Sequence, residues 1–291
     1  MDFYTGQELL DRCHEKSLPI SDIMKLRETT NTHQSILAVE HRLQTALDIM
    51  KNAAERPIKQ PTKSIGGLIG GEAKKVSDHA YEKKNVCGSV LSKAIAYSMA
   101  VLEVNASMGL IVAAPTAGSA GVLPGVLLAL RDEQKLSDAT LYKGLLNASA
   151  IGYLLMRNAS VSCAEAGCQA EVGAASAMAA SAVVEMMGGT PEMCFHAASL
   201  ALSNLLGLAC DPVAGLVEVP CVKRNVVGAV NALTSCDMVL AGMISKIPPD
   251  EVFDAMRAVG RAMPENVRET GTGGLAATPT GIEMRERITS L

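Results

Sequence analysis

Apolar and polar positions along the chain recur with helical spacing, most clearly near its two ends. In THQSILAVEHRLQTALDIMKNAAER, Ile36, Leu43, Leu47, Met50 and Ala54 follow one another at steps of seven, four, three and four, which sets them on one face of a helix. Thr32 is the expected N-cap of that helix. Near the C-terminus, PPDEVFDAMRAVGRAMP opens on prolines and Asp250, places Val252, Met256, Val259 and Met263 on one face, and stops before Pro264. Ser137 is positioned to cap a helix through LYKGLLNASAIGYLLMRN, and Thr190 with Pro191 to open another through FHAASLALSNLLGLA that ends at Cys210. The segment EVGAASAMAASAVVEMMGG is apolar on every face and rich in alanine, the pattern of a central helix packed closely by others.

Strand-like alternation is scarce, and aromatic residues make up only 3% of the chain, so the bulky residues that favour sheets are few. The expectation is an all-α protein with one helical domain, a buried alanine-rich central helix, and Gly/Pro-rich loops that form the active site. With 291 residues, the chain can bury a substantial core. Composition shifts to Pro, Lys and Gly between Glu55 and Ser77. This stretch reads as an intradomain loop dividing an N-terminal helical region, residues 1–56, from a main body, residues 57–291.

Positions 104–130 carry no charge, a length that raises a membrane span, but Pro115, Pro124, Asn105, Thr116 and four glycines interrupt the run. A buried helix end, a functional loop and a new helix start fit it better. Net charge is −4 with scattered basic residues, which leaves no electrostatic footprint for nucleic acid or an anionic membrane. The opening MDFYTGQELLDRCHEK is polar and carries no secretory signal, so a reducing cytoplasm is the expected compartment and the thiols are expected to be free.

Three of the eight cysteines lie in Gly/Pro-rich surroundings: Cys168 in AGCQAEVG, and Cys210 and Cys221 bracketing CDPVAGLVEVPC. Three thiolates can hold an iron-sulfur cluster by three corners and leave one iron open as a Lewis acid. The competing readings are core packing, the usual fate of a free cysteine, and structural zinc, which favours close pairs and histidine. The chain has no C-x2-C pair and no histidine near the trio. Spacing alone matches no general iron-sulfur pattern.

Five stretches extend the reading: SIGGLIGGEAKK from Ser64, NASMGLIVAAPTAGSAGVLPG from Asn105, AGCQAEVGAASAMAA from Ala166, CDPVAGLVEVPCVKRN from Cys210, and ETGTGGLAATPTG from Glu269. Together they resemble the alpha chain of the bacterial iron-sulfur-dependent L-serine dehydratases, from about Ile20 to the C-terminus. The resemblance implies an all-α fold, a [4Fe-4S] cluster ligated by Cys168, Cys210 and Cys221, and conversion of L-serine to pyruvate and ammonia. It also implies a separate beta subunit carrying a Ser-Ser-His-Thr segment that this chain lacks. Cys163 is outside the pattern, which more often has a small residue there; five residues before Cys168, it is expected near the cluster without ligating it. The late cysteine of some single-chain members is missing, since none follows Cys236.

Dehydrating serine requires removal of the α proton and help for a poor leaving group. In PTAGSAG, the backbone around Thr116, Ala117, Gly118 and Ser119, with the hydroxyls of Thr116 and Ser119, offers donors to the substrate carboxylate; an ordinary helix-breaking turn is the alternative. SIGGLIGGEAKK fails the phosphate-loop pattern because Glu72 stands where lysine is required. A mobile lid or substrate loop bringing Ser64, Lys74 or Lys75 to the site is its expected role, and ETGTGGLAATPTG is expected to close over the same pocket. Gln169, Glu171, Asp211 and Asn225 flank the cysteines at offsets suited to orienting ligands, and Lys223 and Arg224 stand beside them. No histidine makes a convincing base, so Lys74 is the candidate within this chain and the base is expected on the beta subunit. A cluster-dependent cysteine desulfidase, pyridoxal-phosphate catalysis on Lys74 or Lys75, and a non-catalytic iron-sulfur subunit are the competing functions.

Overall fold

The computed structural model describes residues 2–82 and 85–290, and among these it contains thirteen α-helices and no β-strand. The helices are α1 (Gly6–Lys16), α2 (Ile20–Thr32), α3 (Ile36–Lys59), α4 (Glu72–Tyr81), α5 (Gly88–Ala106), α6 (Val122–Gln134), α7 (Asp138–Asn158), α8 (Cys163–Ala166), α9 (Ala174–Met186), α10 (Pro191–Ser203), α11 (Cys221–Leu240), α12 (Pro249–Ala262) and α13 (Pro279–Thr289). No described helix is long and apolar enough to cross a membrane. The uncharged run 104–130 divides as its prolines and glycines require: the end of α5, a loop, then α6.

Helix α9 is the centre of the molecule. Every residue from Ala174 to Val184 is buried, and α6, α7, α10 and α11 pack around it. Alanine and serine side chains let those neighbours approach closely without leaving voids. Helix α5 forms a second hub against α3, α4, α6 and α11.

The N-terminal helices share this core. Phe3, Leu9, Ile20, Ile23, Leu47 and Met50 belong to the same apolar cluster as Ala179, Phe195 and Leu202. Residues 56 and 57 lie within α3, which runs on to Lys59, and the connecting loop occupies residues 60–71.

Three element boundaries differ from expectation. Thr32 ends α2, and Ser35 caps α3 instead: its extended backbone turns Oγ toward the Ala38 N–H at 3.2 Å. Helix α10 ends at Ser203, before Cys210, because Gly207 takes a left-handed φ of 79° that reverses the chain. The alanine-rich helix is preceded by a π-helical turn, Gln169–Gly173, directly after Cys168. Such wider turns are rare and often mark functional sites.

Candidate metal centre

The Sγ atoms of Cys163, Cys168 and Cys210 lie within 4.8 Å of one another, all three buried. Cys163 opens α8 and Cys168 follows its last residue by two, with their sulfurs 3.8 Å apart. Cys210 comes from the stretch that follows α10. Cys221, the first residue of α11, is also buried. It stands outside the tight trio but close enough to interact electrostatically with Cys168 and Cys210. Cys168 and Cys210 therefore converge as expected, and Cys163 is the thiol in direct contact with them.

Polarity at the thiols is uneven. Hydrogen bonding from the Cys163 and Cys210 thiols, with the Arg224 guanidinium, holds Cys168 down to about 3 despite its burial. The hydrogen bond to Cys168 drives Cys163 the other way, and burial pushes Cys221 up to about 12. Arg224 Nη1 donates to Ala209 O at 2.7 Å, lies 3.8 Å from Cys168 Sγ, and forms an ion pair with the Asp211 carboxylate at 2.6 Å. A buried cation beside a thiolate is the environment in which cysteine becomes a metal ligand. Lys223, one residue earlier, is exposed.

The expected glycine-rich loops reach the cysteine segments through named hydrogen bonds. Buried Asn225 accepts from the Gly121 N–H at 3.0 Å and donates to Gly118 O at 2.8 Å and Cys221 O at 3.0 Å. It thus fastens the PTAGSAG turn to a cysteine. The Glu171 carboxyl rests against the same turn: a Cβ at Gly118 would lie 2.5 Å from Glu171 Oε2, so a larger residue there would displace that carboxyl. Burial raises the Glu171 pKa against the lowering effect of contacts with Cys163 and Thr116. Ser119 is fully buried and donates to Ala114 O at 3.2 Å. Its hydroxyl thus holds the turn together from within, while Thr116 and Ala117 lie toward the surface.

The ETGTGGL loop pairs with the cysteine loop along the backbone. Cys210 N–H donates to Val267 O and Glu269 N–H to Cys210 O, both at 2.8 Å, and Asp211 Oδ2 accepts from the Leu275 N–H at 2.6 Å. Gln169 works from below, accepting from the Gly207 N–H at 2.9 Å and donating to Met256 O at 3.1 Å.

The loop that precedes α4 reaches the cysteine segment through Glu218, which accepts from Ser64 Oγ at 2.6 Å. Ser64 is buried in that loop, but Lys74 is half-exposed on α4 with its ammonium 2.8 Å from Asp78. A lysine acts as a base or Schiff-base amine when desolvated, and Lys74 is not. His14, His33, His41 and His79 are exposed and His196 is partly buried on α10. Sequence reasoning missed two residues: Arg224, read only as flanking the site, and Glu218, which was not singled out. Neither follows a sequence pattern, because each acts through contacts made by folding.

The family model for the serine dehydratase alpha chain matches residues 15–276. The chain belongs to that family. It is 47% identical to the probable L-serine dehydratase alpha chain of Bacillus subtilis (strain 168), covering 98% of this chain and 95% of that one. Identity to the L-serine dehydratase alpha chain of Peptoniphilus asaccharolyticus is 44%, over 97% and 96% of the two chains. The L-serine dehydratase of Helicobacter pylori (strain ATCC 700392 / 26695) is 36% identical over 95% of this chain but only 62% of its own length. The serine dehydratase alpha chain family thus includes both chains of this length and segments of longer ones.

Proposed function

We propose that this chain is the alpha subunit of an L-serine dehydratase, a carbon–oxygen lyase that converts L-serine to pyruvate and ammonia. Its family membership across nearly the whole chain carries the reading, and the buried thiol centre supports it. Serine loses its α proton and β hydroxyl as water; the resulting enamine tautomerises to an imine, and a water hydrolyses that to pyruvate and ammonia.

The donor set fits an iron-sulfur group: buried thiols converge, none is in a disulfide, and a guanidinium is present to stabilise thiolate charge. Cys168, Cys210 and Cys221 would hold a [4Fe-4S] cluster, with Cys163 packed against Cys168. When bound, such a cluster supplies a Lewis acid to the departing hydroxyl.

The chain's own residues position the substrate around that centre. The Thr116–Ser119 turn supplies backbone N–H groups and the Thr116 hydroxyl to the serine carboxylate, and Asn225 and Ser119 keep the turn in place. Glu171 lies against the turn and can hold a proton on its carboxyl at the edge of the site. Lys74 is too exposed for that task, so the base that takes the α proton comes from a partner beta subunit. The loops that contain Ser64 and Thr270 shelter the reaction from bulk water.

The test is anaerobic iron and sulfide analysis coupled to a pyruvate assay with L-serine. Alanine at Cys168, Cys210 or Cys221 is expected to abolish cluster binding, while Cys163→Ala and Cys236→Ala retain most of the iron. Iron lost with Cys163→Ala but kept with Cys221→Ala would overturn this ligand set.

A further inference from the structure

The loop between Cys210 and Cys221 does more than carry thiols. Its Glu218 is 2% exposed, yet three donors converge on its carboxylate, all from the glycine-rich loop that follows α3. Oε1 accepts from the Gly66 N–H at 2.7 Å, and Oε2 accepts from Ser64 Oγ at 2.6 Å and the Leu68 N–H at 3.0 Å. The Glu218 backbone faces the other way, its carbonyl accepting from the N–H of Val222, the residue after Cys221, at 3.2 Å. One residue thus joins the first turn of α11 to a segment 150 positions earlier in the chain.

We propose that Glu218 is a positioning residue that makes the order of the Ser64–Ile69 loop depend on the state of the cysteine loop. The physical argument rests on satisfaction. A buried carboxylate needs several donors, and here the three are amides and a hydroxyl of a loop with little apolar anchorage: Ile65 is exposed and Ile69 is its buried apolar side chain. Gly66 sits close against the cysteine loop: a Cβ there would lie 2.3 Å from Leu216 Cδ1 and 2.8 Å from Glu218 Oε1. When ligand binding fixes Cys210 and Cys221, it fixes Glu218 between them, and the amides of Gly66 and Leu68 become fixed in turn. Metal loading and substrate-loop order are therefore coupled through a side chain that touches neither metal nor substrate.

The coupling is read by hydrogen exchange of residues 64–70 in the full chain, before and after anaerobic reconstitution with iron and sulfide. The wild type is expected to gain protection in this segment on loading. Glu218→Ala should bind the same iron yet lose that gain, with exchange about tenfold faster, the scale of a lost hydrogen bond to a charged group. Glu218→Gln retains an acceptor for Gly66 but turns an amide toward the Leu68 N–H, so it should fall between the two. Gly66→Ala strains the same contact from the opposite loop and should reproduce the alanine result, which guards against a folding defect in the Glu218 variants.

The catalytic arm rests on the serine dehydratase reading. With the partner subunit present, Glu218→Ala should raise KM for L-serine about tenfold and change kcat far less. Equal protection in wild type and Glu218→Ala at equal iron content would overturn the coupling, whatever the reaction proves to be. Absence of pyruvate from the wild type with intact exchange behaviour would instead count against the dehydratase reading alone.

Discussion

Asn225 shows what a single residue contributes at this site. Both ends of its amide are used, on the PTAGSAG turn and on the Cys221 carbonyl, and it is fully buried. Asn225→Ala removes an acceptor and two donors and leaves the Gly121 N–H unpaired in the interior. The expected cost is about 2 kcal/mol or more, measurable as a lowered midpoint in denaturant unfolding; an unchanged midpoint would show that water replaces the amide. The cysteines make the complementary point, since identical side chains differ by environment. Burial pushes Cys13 and Cys236 up to about 12, so at pH 8 only about one in ten thousand of either is thiolate. Cys87 is exposed. Iodoacetamide at pH 8 should therefore label Cys87 on the folded chain and reach Cys13 and Cys236 only after denaturation, as peptide mass spectrometry would report; early labelling of Cys236 would mean that α11 opens locally.

At the scale of elements, the start of α4 is instructive. A helix N-terminus is an anion site by default, but here Glu103 of α5, 1% exposed, accepts from the Ala73 N–H at 2.9 Å. The position is filled by the protein's own carboxyl, which is why the glycine-rich loop before α4 offers no phosphate cradle. Burial raises the Glu103 pKa above its ordinary value of 4.5, outweighing the amides of Ala73, Gly71 and Glu72. A carboxyl raised by folding adds stability below its ordinary value, and that contribution is lost as pH climbs through the raised one. Glu103→Gln cannot ionise, so its melting temperature should gain on the wild type between pH 4 and pH 8. A gap that moves the other way would show that the helix amides, not burial, dominate the carboxyl.

For the molecule as a whole, the point to test is the source of the proton acceptor. A positioned base contributes about 10²–10⁴-fold, yet four of the five histidines are exposed and Lys74 is ion-paired at the surface. The Helicobacter pylori relative extends well beyond the part matched here, which is consistent with a second module completing the enzyme. The isolated chain, loaded with cluster, is expected to turn over L-serine poorly, and addition of a beta subunit should restore pyruvate production. Full activity of the isolated chain would place the base within it, with Glu171 the first residue to replace by Gln.

Periodicity and capping alone determined the helical class, the course of α7 and α12, and the central place of the alanine-rich helix. Those features depend on interactions a few residues apart, and the pattern of side chains records them directly. Cys168, Cys210 and Cys221 stood out by their Gly/Pro-rich surroundings and by the family resemblance, and folding brings the sulfurs of Cys168 and Cys210 together. The tertiary structure decided the rest. Cys163 joins the thiol group only because α8 turns it back onto Cys168, and Thr32 yields the cap to Ser35 because the chain reverses at His33, where φ is 53°. The roles of Arg224, Glu103 and Glu218 are set by partners many residues away. Their side chains are commonplace in sequence, and their effect comes from burial and from the donors and acceptors that folding brings to them.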